Sequence, residues 1–140
     1  MPIISPSSFL RRALLADAAM SGAAGLLMML GADFLTEPTG LPVALLRYAG
    51  LSLLPFAALL IWLATRASLP QPAVWVVIAC NVSWTADSIL LLLAGWVAPT
   101  ALGKAFVVAQ ALAVLVMAEL EYLGLRKSTA AVALHSGRAS

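Results

Sequence analysis

Four long apolar runs constrain this chain more than any other feature: about 9–34, 41–64, 73–97 and 101–125. A hydrocarbon core of roughly 30 Å takes about 20 residues of helix to cross. Backbone amides inside lipid have no water partner, so a crossing segment must be a helix or part of a closed barrel. These runs are too long and too uniformly apolar for barrel strands. The expected fold is an all-α membrane protein, with four transmembrane helices in an antiparallel up-down bundle. TEPTG (36–40), TRASLPQP (65–72) and APT (98–100) separate the runs with turn residues. MPIISPSS (1–8) is expected to be a disordered lead, and residues 126–140 a mobile cytoplasmic tail.

Composition points to the same solvent. The chain is 63% hydrophobic and 10% charged, against about a quarter charged in soluble domains. The lipid bilayer is therefore the first expected partner. No basic stripe interleaved with aromatics occurs, which argues against nucleic acid. Cys80 is the single cysteine and His135 the single histidine. Neither a metal site nor any other cofactor is expected from such a set. There is no Ser/His pair and no sizeable loop for a water-soluble substrate, so an enzyme is not expected.

Basic residues suggest an orientation. Arg11, Arg12, Arg66, Arg126, Lys127 and Arg138 fall on the side of the termini, and only Arg47 and Lys104 on the other. The positive-inside rule then places both termini in the cytoplasm. Trp62, Trp75 and Tyr122 fall at the inner boundary, and Phe34, Tyr48 and Trp96 at the outer one, as interfacial aromatics do. FLRRALL faintly resembles a twin-arginine signal, but Asp17 interrupts its apolar region.

Polar residues within the runs need a partner or a purpose, because an intramembrane charge is expensive. The stretch NVSWTADS (81–88) supplies Asn81, Ser83, Trp84, Asp87 and Ser88. On a helix these fan across one broad side, which is expected to face inward. Asp87 lies deepest, and Arg47 and Gln110 are at reachable depth. An Asp87–Arg47 pair is expected, with Gln110, Ser83 or Ser88 completing its hydrogen bonds. Such a pair would be a structural clamp. A carboxyl without its arginine would instead be a protonation switch. The available counter-charge favours the clamp.

Asp17 and Glu119 form a second acidic set near the cytoplasmic boundary, either reaching up to the bases there or forming a proton or cation entry site. Glu121 is expected to be interfacial. Ala18, Ser21, Gly22 and Gly25 make small-xxx-small pairs, a face on which helix backbones approach closely, within the bundle or between protomers. Pro55 falls mid-membrane in the second run and is expected to kink it.

LRRALLADAAMSGAAGLLM, LLRYAGLSLLPFAALLIWLATR, ADSILLLLAGWVAPTALGKAFVVAQALAV and AELEYLGLRK resemble segments of small four-helix integral membrane proteins of bacteria, of the proteobacterial type. The resemblance covers roughly residues 9–127. It implies a multi-pass protein of the bacterial inner (plasma) membrane, and it carries no activity or site residues. The leading functional expectation is a non-enzymatic accessory or scaffold subunit acting through helix packing, as a homodimer or within a larger membrane complex. The alternative is a small proton-coupled transporter working as a dimer, because four helices enclose only a narrow pathway.

Overall fold

The computed structural model describes the backbone of residues 3–139 and the side chains of residues 3–129. His135 and Arg138 thus lie outside the described side chains. The order is β1 (Ile3–Ile4), α1 (Ser8–Leu30), α2 (Ala32–Thr39), α3 (Val43–Ala64), β2 (Leu69–Pro70), α4 (Gln71–Leu93) and α5 (Ala101–Ala139). The fold is all-α but for the two-residue strands. Four of the helices are long and apolar enough to cross a membrane: α1, α3, α4 and the part of α5 over Ala101–Thr129.

Several boundaries differ from the sequence reading. The first run breaks at Gly31, and what looked like a turn at TEPTG is the end of a separate short helix, α2. Gly40 closes α2 with φ 70°, a left-handed conformation suited to glycine, and its N–H bonds the Thr36 carbonyl. The third run stops at Leu93 rather than Val97. α5 continues past Leu125 through the alanine-rich tail, where no proline intervenes to stop it. The lead is also tied down. Ile3 and Ile4 pair antiparallel with Pro70 and Leu69, and Ile4 is buried. Pro55 sits inside α3, which runs uninterrupted from Val43 to Ala64.

The helices pack as two tight pairs, α1 with α3 and α4 with α5, joined by α1 against α5. The α1–α3 crossing is made at Gly25 and Gly50. A Cβ on Gly50 would lie 2.6 Å from the Met29 nitrogen and 2.7 Å from the Gly25 carbonyl oxygen. Ala18, Ser21 and Gly25 are buried, and Gly22, half-buried, faces Ala57 of α3. The small-residue face is thus used inside the chain, against α3.

α1 and α5 approach as closely at Gly124, where a Cβ would lie 2.7 Å from the Leu10 Cα. Ser7 caps α1 by accepting from the Leu10 N–H at 3.1 Å, and the Ser7 N–H donates to Ser128 Oγ at 2.9 Å. At the opposite end, the Thr100 N–H donates to the Thr39 carbonyl at 2.9 Å and Thr100 Oγ1 to the Pro38 carbonyl at 2.6 Å.

α3 and α4 scarcely touch, although they are consecutive long helices. The bundle is therefore open along that seam. Two cavities lie in it, about 390 Å³ and about 250 Å³. Trp84 borders both.

Candidate functional site

The inward stripe of α4 is Val74, Val77, Ile78, Asn81 and Thr85. These positions recur every three or four residues, as one face of a helix requires. Asn81 is the one strongly polar member of that stripe, and its side chain meets two carboxyl groups. Asn81 Nδ2 donates to Asp17 Oδ2 at 2.7 Å and to Glu121 Oε1 at 2.6 Å. Ser21 Oγ donates to the other Asp17 oxygen at 3.1 Å. Asp17 and Glu121 are both 0% exposed.

Three helices build this trio. On α1, Leu10, Leu14, Asp17, Ser21, Gly25 and Met28 share the buried face. On α5, Val107, Ala111, Val114, Ala118, Glu121, Leu125 and Ser128 do the same. Gly124, one turn from Glu121, lets α5 come close enough to α1 for the two acids to reach one amide. Thr85, one turn from Asn81, donates to the Asn81 carbonyl at 3.1 Å and to the Ala111 carbonyl at 3.3 Å, which fixes α4 against α5.

Among the described residues no base enters the site. Arg11 donates to the Ala64 carbonyl at 2.8 Å and the Arg66 carbonyl at 3.3 Å, satisfying exposed carbonyls at the end of α3. Arg66 stacks on Trp62, Arg126 on Tyr122 and Lys127 on Phe9, with 4.5, 5.9 and 4.2 Å to the ring centroids. Of the four oxygens, Glu121 Oε2 is buried without a partner; Trp84 Nε1 is the other such side-chain atom among those described. A nitrogen with two hydrogens can serve two acceptors, but it brings no positive charge. Two ionised carboxylates in a buried site without a cation are strongly disfavoured. The arrangement therefore suits a bound proton, with the unpartnered Glu121 oxygen as a place for it.

The expected polar cluster is not one site. Arg47 pairs with Asp33 instead of Asp87, at 3.3 Å and well exposed. Among the described residues this is the single ion pair. The reason is proximity: Asp33 opens α2, directly beside the start of α3, whereas α3 and α4 stand apart. Asp87 and Ser83 are exposed, as is Cys80, on the side of α4 that does not meet α5. Ser88 donates to the Trp84 carbonyl at 2.7 Å, and Gln110 meets only Met28 Sδ, at 3.7 Å. Asp87, Ser88, Trp84 and Gln110 line the larger cavity together.

The second acidic set is also redrawn. Glu119 is exposed, and Glu121, expected at the interface, is the buried acid. Two residues along a helix turn a side chain by about 200°. Asp17, expected to sit near the boundary bases, instead turns into the bundle. A helical-phase test on α5 would have found Glu121, because it continues the series Val107, Ala111, Val114, Ala118.

No family model, curated protein or solved structure matches this chain. Its function is argued from the site alone.

Proposed function

We propose that the chain is a non-enzymatic integral membrane protein that takes up and releases a proton at Asp17–Asn81–Glu121, and so is a small proton-coupled carrier. One observation carries this reading. Two buried carboxyl groups share a single amide nitrogen, and among the described residues no base pairs with either. Ionisable groups held within an apolar bundle mark ion and proton pathways by default. The smaller cavity on the α3–α4 seam is lined by Asn81 of this trio and by Ser21, which donates to Asp17. The distribution of bases and aromatics supports a multi-pass arrangement with both termini cytoplasmic, and the resemblance to small four-helix bacterial membrane proteins supports an inner-membrane setting.

The scaffold reading has its own support. The trio ties α1, α4 and α5 together as a polar clamp would. The two readings part on exchange. In proteoliposomes enclosing a pH-sensitive dye, a carrier equilibrates an imposed proton gradient, and Glu121→Gln abolishes that while the variant still folds. A clamp leaves the gradient standing in both. Infrared spectra of the carboxyl C=O band add a direct readout. A band that responds to bath pH in the wild type and is missing in Glu121→Gln supports proton exchange. A band indifferent to pH overturns it.

A further inference from the structure

We infer that the larger cavity on the α3–α4 seam is a binding site for a lipophilic organic cation, held by Asp87 against the aromatic wall of Trp84, Trp96 and Phe106. The site is separate from the carboxyl trio, and the inference goes beyond the proton-exchange reading.

Charge is the first argument. Asp87 borders the cavity and has no ion pair or hydrogen bond among the described residues. Among the described bases, none pairs with it. Arg47, the expected partner, is held by Asp33. Lys104 is exposed on α5 and does not border the cavity. A carboxylate on an apolar helix calls for a counter-charge, and among the described residues none supplies it.

The rest of the wall decides what kind of cation fits. Hard divalent ions take six or more oxygen ligands. The cavity offers only Asp87, the Ser88 hydroxyl already donating to the Trp84 carbonyl, and the Gln110 amide. The remaining surface is Met28, Leu46, Val107 and their neighbours, which suit a bulky apolar body. Aromatic faces attract cations, and three of them line this one cavity. About 390 Å³ lies within the range of drug-sized ligand pockets, roughly 300–1,000 Å³. The seam is open because α3 and α4 scarcely touch, so a ligand dissolved in the bilayer can enter sideways.

The test uses the purified full chain in lipid nanodiscs at equilibrium, with no gradient, so a failed proton-exchange assay leaves its result readable. Tetraphenylphosphonium is the probe, and tetraphenylborate is its control of the same shape and opposite charge. The wild type should bind the phosphonium saturably, and the borate much more weakly. Asp87→Asn should weaken phosphonium binding roughly tenfold or more, as losing one member of a desolvated charge pair does. Asp87→Glu should retain it. Glu119→Gln, exposed and outside the cavity, should leave it unchanged. Asp87 makes no bond in the fold, so its variants should melt at the wild-type temperature. Equal affinity for both ions would overturn the inference, since it would show partition into an apolar cleft. Unchanged binding in Asp87→Asn would do the same. So would a disulfide between Cys80 residues of two copies that forms undiminished under saturating phosphonium, since a second copy would then cover the seam.

Discussion

Asp17 and Asp87 are both aspartates within long apolar helices, and the fold treats them in opposite ways. Asp17 is fully buried, with both oxygens bonded, by Asn81 and Ser21. Asp87 is exposed beside an open seam and has no bond. The difference comes from packing. Around Asp17 the helices close to the limit that Gly25, Gly50 and Gly124 allow. Around Asp87 the neighbouring helix stands away. Burial alone thus separates a carboxyl that must be satisfied within the chain from one that can meet a ligand.

The largest expected effect on this contrast comes from the shared donor. Asn81→Leu leaves two buried carboxyls facing each other with no donor between them. It should destabilise the chain by about 3–5 kcal/mol, as breaking a buried polar pair does. Urea or thermal unfolding in detergent measures this. Adding Glu121→Gln to that background should recover part of the loss, since an amide can donate where the asparagine did.

Overpacking the closed half should come next. Gly50→Val meets the Met29 nitrogen and the Gly25 carbonyl oxygen, and should destabilise by about 1–3 kcal/mol or more. A substitution at Gly95, where nothing lies within 4 Å but φ is 73°, tests backbone strain instead. Gly95→Ala should cost about 1 kcal/mol.

Smaller still is the contrast between two glutamates. Glu121→Gln should change stability measurably, whereas Glu119→Gln should stay within about 0.5 kcal/mol, as exposed substitutions do. Equal effects would erase the distinction between buried and exposed acids. The smallest effect belongs to Arg47→Ala. Its ion pair with Asp33 has side chains 50% and 75% exposed, and such pairs contribute roughly 0.2–1 kcal/mol or less. Melting temperatures of the single variants resolve this order.

How far the sequence could be read follows the same physics. The four long apolar helices were legible because lipid leaves an apolar run of that length few alternatives. The site was less so. Polarity alone marks the wrong face, because it puts Ser83 and Asp87 inside, where the fold leaves them exposed. Helical phase is the better guide on α4, where Asn81 and Thr85 continue Val74, Val77 and Ile78. The same test separates Glu121 from Glu119. The Asp33–Arg47 pair is hidden in the sequence because the break at Gly31 that sets α2 apart lies inside a continuous apolar run. The open seam could not be read at all, since consecutive antiparallel helices usually pack, and nothing local to α3 or α4 announces that they part.

The tether between Thr100 and Thr39 at one end, and the short Leu69–Pro70 link clasped by Ile3 and Ile4 at the other, has a mechanical consequence. The α3–α4 gap is thus held at both ends, directly at the short link and, at the far end, through the segments that precede α3 and follow α4. Any change in the gap between them has to be a bowing of the middle. Pro55 lies near the centre of α3, where proline removes one rung of backbone bonding. That is where a beam fixed at both ends would flex with least resistance, level with the smaller cavity that Phe56 and Ser52 border.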